Sequence, residues 1–282
     1  MAILLGLGAA AAWGVADFFG GFASRWVRAT LAVVISQAIG LASLLLLLPL
    51  FRHETMTSGA VLWGALAGMA GGFGLLNLYR GLGRGRMAVV APVSAVIGAV
   101  VPVAFDLAIG DPVGALTLAG VVIALAALAL VSWHPGVEGR ADGDSLLRSG
   151  LPEGLLAGLG FGTFFVLFAQ AGDASTYWPL LSLRVASVLM LSAIALATGS
   201  FARPGRRALG ILVAAGVLDV TANLLYLLGT QRGLLSVVAV LAALYPAATV
   251  LMARAILKER LHRTQVLGLA AAGLGIVLIT AG

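Results

Sequence analysis

Long apolar runs, separated at regular intervals by short clusters of charge, Pro and Gly, dominate the chain. A membrane helix needs about 20 mostly apolar residues at 1.5 Å rise each. Ten runs meet that requirement: 2–22, 30–51, 59–79, 87–109, 113–133, 151–172, 178–199, 209–231, 234–256 and 264–281. The pattern predicts an all-α integral membrane protein of ten transmembrane helices, with short connections that make successive helices antiparallel. One interval differs. Residues 134–150 carry Pro135, Glu138, Arg140, Asp142, Asp144 and Arg148, and read as a solvated linker between a five-helix unit at 1–133 and a second at 151–282. The first run could pass for a signal peptide, but it lacks a basic start, runs long and holds Asp17; it is expected to stay as a span.

Composition narrows the class. Of 282 residues, 61% are apolar and 10% charged, with a mean hydropathy of +1.09. Soluble domains run at about half apolar and about a quarter charged, so a soluble enzyme, a disordered tail and a nucleic-acid module are excluded. The absence of Cys removes disulfides, thiolate metal sites and cysteine nucleophiles. His53, His134 and His262 lie in loops without ligand spacing. Gly81-Leu-Gly83-Arg-Gly85 follows a membrane span instead of a strand and lacks the Lys-Ser/Thr of a phosphate loop. No metal, cofactor or catalytic constellation is therefore expected, and the partners are a small-molecule substrate and membrane lipid, not nucleic acid.

Sliding the chain by 148 residues lays Gly81 to Ala91 on Gly229 to Ala239 with six identities in eleven positions, Arg84-Gly85 on Arg232-Gly233 and Val89-Val90-Ala91 on Val237-Val238-Ala239 among them. The same offset pairs Gly6, Ala10 and Gly14 with Gly154, Gly158 and Gly162, and Ala67-Gly68 with Ala215-Gly216. Five spans per copy is an odd number, so the copies must insert in opposite senses. Loop charge agrees. Arg25, Arg28, Arg80, Arg84 and Arg86 follow spans 1 and 3, whereas Arg203, Arg206, Arg207, Lys258, Arg260 and Arg263 follow spans 7 and 9. By the positive-inside rule those loops are cytoplasmic and both termini external, in a plasma (cytoplasmic) membrane. Inverted repeats of this kind place a substrate site between them near the midplane, with alternating access by rocking of one bundle against the other.

With Trp13-Gly14 in span 1, the Arg232-Gly233 to Ala239 run, Leu244-Tyr245-Pro246, Glu259, Gly268 and Gly273, the chain resembles the drug/metabolite transporter superfamily, and within it the ten-span EamA-type exporters. The resemblance covers nearly the whole chain. It implies secondary transport or export of small metabolites, often amino acids, and not an enzyme. The first half departs from the pattern, with Gly98 and Asp111 where the second has Pro246 and Glu259.

Ionisable groups inside a span cost about 2.5–3.5 kcal/mol on insertion scales, so each is a candidate. Asp17 lies one turn after Trp13. It either exchanges a proton for a cationic substrate, as the first-span carboxylate of the similar small multidrug resistance transporters implies, or snorkels at the span end near Gly20-Gly21. Asp219, Asn223 and Tyr226 share one face of span 8; they line a cavity or tie the helix to a neighbour. Arg184 needs a carboxylate. Asp219 is its expected partner, despite an apparent depth difference of about 8 Å, and capture of a substrate carboxylate is the alternative.

Gln37, Asn77 and Gln170 are further polar candidates, each equally suited to interhelical bonding. Trp13, Phe161 and Tyr245 either wall a cavity or simply pack. The expected substrate-binding set is thus Trp13, Asp17, Gln37, Asn77, Arg184, Asp219, Asn223, Tyr226 and Tyr245. Pro92, Pro102 and Pro246 weaken spans 4 and 9, which makes these either gating helices or statically kinked ones. Gly64, Gly68 and Gly72 permit close helix approach, Asp106 and Arg254 are read as interfacial, and Gly120, Ala124, Gly268 and Ala272 on spans 5 and 10 offer a homodimer face. An uncoupled facilitator and a lipid-handling protein remain the alternative functions.

Overall fold

The computed structural model describes residues 1–24, 26–51, 53–83, 87–110, 114–132, 150–171, 175–200, 204–257 and 263–281. Within them the chain forms eleven α-helices: α1 (Ala2–Ala23), α2 (Ala29–Leu47), α3 (Ser58–Gly83), α4 (Met87–Ile109), α5 (Ala115–Ser132), α6 (Leu151–Gln170), α7 (Tyr177–Ala197), α8 (Arg206–Thr230), α9 (Leu235–Ala242), α10 (Tyr245–Leu257) and α11 (Arg263–Ala281). The linker at 134–149, Asp111, Lys258 and Glu259 lie outside the described residues.

Helices α1, α2, α3, α6, α7 and α8 are long and apolar enough to cross a membrane, and shorter apolar stretches occupy α4, α5, α9–α10 and α11. Outward faces carry Leu46, Leu189, Leu196 and Leu267, each more than half exposed. Such an apolar surface suits lipid tails and not water.

The predicted span 9 is two helices. Pro246 has no N–H, and its ring clashes with the carbonyl four residues back, which belongs to Ala242. There α9 ends, and α10 restarts with Pro246 in its first turn, where a proline is tolerated. Span 4 differs, since α4 runs unbroken through Pro92 and Pro102.

The helices form a ring in which every neighbour comes from the opposite half: α1 packs on α8, α8 on α2, α2 on α7, α7 on α3, α3 on α6, α6 on α4, and α4 on α9, which returns to α1. Helices α5 and α11 pair with each other. Exchanging the halves leaves this pattern of neighbours unchanged. The register is preserved too. A Cβ built on Gly6 would stand 3.3 Å from the Val238 carbonyl and 3.2 Å from Leu241 Cβ, while one on Gly154 would stand 3.3 Å from the Val90 carbonyl and 2.9 Å from Val93 Cβ. Every member of one set lies 148 residues from its counterpart in the other.

Glycines set these approaches where backbone meets backbone. Gly160 lies against Gly74, and Gly68 against the Leu183 backbone, distances that any side chain would forbid. The small residues of α5 and α11 are used within the chain, Gly275 lying on Gly120 and Ala124. Asp106 is not interfacial. It is 1% exposed, and its Oδ2 accepts the Ser236 N–H at 2.6 Å, capping α9.

Candidate functional site

The ring encloses a cavity of about 690 Å³, its open mouth included, lined from both halves. Its polar wall is built by α1, α2, α7 and α8 and centres on Asp219. Trp13 Nε1 donates to Asp219 Oδ1 at 3.0 Å. Gln37 Nε2 donates to Oδ2 at 3.1 Å, and Arg184 Nη1 pairs with the same oxygen at 2.6 Å. Asn223, one turn along α8, donates to the Asp219 carbonyl at 2.6 Å and reaches its Oδ1 at 3.5 Å.

Gln37 completes the network. Its Oε1 accepts from Arg184 Nη1 and, at 3.1 Å, from Ser187 Oγ, so one amide from α2 joins α7 to α8. The apparent depth mismatch between Arg184 and Asp219 disappears with the observed helix ends, because each stands 13 residues from the α7–α8 connection, at Ala197 and Arg206 respectively. Arg184 is 1% exposed and Asp219 21% exposed. A guanidinium out of water requires that partner. Its Nε and Nη2 have none among the described residues, although Arg184 lines the cavity.

Asp17 also lines the cavity, close enough to Asp219 for their charges to interact. Among the described residues it has no hydrogen-bond partner. Tyr245, the first residue of α10, lines the wall near Asp17 and hydrogen-bonds Ser94 of α4. It stands directly after the break at Ala243–Leu244.

The apolar wall consists of Ala67, Gly68, Gly71, Gly72, Leu75 and Leu78 of α3, packed beside Phe161, Phe164 and Phe165 of α6. Trp13 packs on the latter pair with ring centroids 6.1 and 5.7 Å apart. The structure therefore brings Trp13, Asp17, Gln37, Arg184, Asp219, Asn223 and Tyr245 together.

Two expected members lie elsewhere. Asn77 donates to the Phe73 carbonyl of its own helix at 2.8 Å. Tyr226 is fully buried behind Trp13, with its hydroxyl donating to the Phe165 carbonyl at 2.9 Å; seven residues past Asp219 on α8 had placed it on the cavity face. Gln170 is exposed at the end of α6. Ser187 was overlooked. One turn beyond Arg184 on the same face, it could have been found by helical spacing.

A multi-helix membrane protein with a polar cavity between its halves is the class these features define. Residues 148–281 match the EamA-like transporter family. That match covers the second half of the chain and points to a multi-pass membrane transporter of small molecules rather than an enzyme. A solved structure described only as a crystal structure of a protein superposes with a TM-score of 0.76 at 16% identity, covering 99% of this chain and 98% of the other. At that identity the likeness is one of fold. No curated protein matches the chain.

Proposed function

We propose that the chain is a secondary transporter of ten spans, arranged as two inverted repeats, that exports a small metabolite of amino-acid type by alternating access with proton coupling through Asp17. Inversion is supported by the helix directions. α1 runs antiparallel to α8, since Gly8 meets Leu225 and Gly229 meets Leu5; α4 runs parallel to α6, since Gly154, Gly158 and Gly162 meet Val93, Ile97 and Val101 in order. With α8 antiparallel to α7, and α7 to α6, α1 and α6 point in opposite senses. Under the loop-charge rule the loops after odd spans are cytoplasmic, an orientation that fits insertion in a plasma membrane.

The observation that carries the function is the contrast between two carboxylates in one cavity. Asp219 is neutralised by Arg184 and held by Trp13 and Gln37, so it serves as architecture. Asp17 has no such partners and is available to a proton or to a substrate ammonium. The unpartnered Arg184 nitrogens offer donors to a substrate carboxylate. A lipid-handling role would want Arg184 unpaired and facing lipid; it is paired and buried.

The test is transport by the purified protein in liposomes, against a panel of amino acids and lipophilic cations, with Asp17→Asn and Arg184→Lys alongside. Movement of at least one panel class that both variants impair supports the reading. Full activity in both variants contradicts it.

A further inference from the structure

We propose that Glu54 is the latch of a gate that seals one end of the cavity, and that transport requires its release. The proposal rests on reading the chain as an alternating-access transporter. Glu54 lies in the first-half loop between α2 and α3; its N–H donates to the Phe51 carbonyl at 3.0 Å, while its carboxylate and its carbonyl accept from the second half. Its Oε2 accepts from Ser175 Oγ at 2.6 Å, from the Thr176 N–H at 2.9 Å and from the Tyr177 N–H at 2.8 Å. These are the free donors at the start of α7, and a carboxylate there also complements the helix dipole. The Glu54 carbonyl accepts the Trp178 indole N–H at 3.1 Å. Beneath it, the Tyr177 hydroxyl donates to the Leu44 carbonyl at 2.7 Å, and its ring stacks on Phe51 with centroids 5.0 Å apart.

The place of this clasp makes it a gate and not only a helix cap. It joins the halves across the end of the bundle where α2 finishes and α3 and α7 begin. Phe165 and Leu183, cavity residues on α6 and α7, stand about 8 Å along their helices from that end at 1.5 Å per residue. From there the cavity extends along α3 from Ala67 to Leu78, away from the clasp. At the opposite end of the α2–α7 pair, among the described residues, a single exposed bond from Arg28 Nη1 to the Gly199 carbonyl at 3.2 Å spans the two helices. The α2–α7 pair is tied at one end by a charged group with three donors and at the other by that one exposed bond, beside which Arg207 of the second half lies over the Trp26 ring of the first at 5.4 Å. For the cavity to open past Phe165 and Leu183, α7 must part from the α2–α3 loop, and Glu54 is the group that holds them.

The chain has no Cys, so one can be placed as a reporter. Ala171, just past the end of α6 and four residues before Ser175 of the clasp, is 3% exposed. Ala171→Cys in lipid nanodiscs, which leave both membrane faces accessible, is reacted with a charged thiol reagent. In the native background labelling is slow; adding Glu54→Ala raises the rate roughly tenfold through loss of charge-assisted bonds. Glu54→Gln, which keeps an acceptor but not the charge, falls between. A Cys at Ala127, fully buried on α5, the helix that pairs with α11, stays protected in all backgrounds. An unchanged Ala171→Cys rate in Glu54→Ala overturns the latch, and so does a matching rise at Ala127→Cys, which reports general loosening. Neither readout needs a substrate, so failure here is distinguishable from failure of the transport assay.

Discussion

Removing the carboxylate of Asp219 leaves the Arg184 charge buried without a counter-ion. Breaking a fully buried ion pair from one side costs about 3–5 kcal/mol. Arg184 is 1% exposed, whereas Asp219 is 21% exposed toward the cavity, so cavity water takes over part of the lost interaction and the cost falls toward the lower bound. Trp13 and Gln37 lose an acceptor as well, but both line the cavity and can turn to water. The expected penalty for Asp219→Ala is about 3 kcal/mol, a fall in Tm of roughly 6–12 °C at 2–4 °C per kcal/mol.

The assay is thermal unfolding of purified protein in one detergent, with Asp219→Ala, Arg184→Met and the double variant compared with the parent. Removing both partners eliminates the unpaired charge, so the double variant recovers at least half of the single-variant loss. A Tm for Asp219→Ala within 2 °C of the parent, or a double variant whose loss is the sum of the singles, would refute the assignment of Asp219 as the architectural carboxylate.

Other sites answer to packing and capping. A Cβ on Gly160 stands 2.7 Å from the Gly74 backbone, which cannot yield; Gly160→Val separates α3 from α6 and lowers Tm by an amount worth about 1–3 kcal/mol, while Gly210→Ala, with open space around it, is neutral or slightly stabilising. Asp106→Ala strips the cap from α9 and costs about 1–3 kcal/mol, and hydrogen exchange at residues 235–242 rises ahead of that in α8. Equal exchange in the two helices would contradict the cap.

Much of the fold is written in hydrophobic runs because lipid leaves a spanning chain few alternatives to a helix. The 148-residue repeat reaches the atomic contacts of Gly6 and Gly154 with the opposite half. Pro246 was legible as a weak point, yet its meaning was not, since Pro102 carries the same chemistry in an unbroken helix. The cavity residues were read from their cost: Asp17, Arg184 and Asp219 are charges in apolar runs. Tyr226 misled because helical spacing fixes a face but not the neighbour that face meets, which here is the Phe165 backbone. Glu54 escaped notice and Asp106 was read as interfacial because both lie near a span end in the sequence, while their partners are more than 100 residues away. Only tertiary structure supplies those.

The central claim, that Asp17 couples substrate movement to protons, is tested by imposing a pH gradient on proteoliposomes preloaded with a transported substrate. With the native protein the gradient drives the substrate against its own concentration difference, and Asp17→Asn permits only downhill exchange. Native transport indifferent to the gradient, or an Asp17→Asn protein that still concentrates substrate, would contradict it.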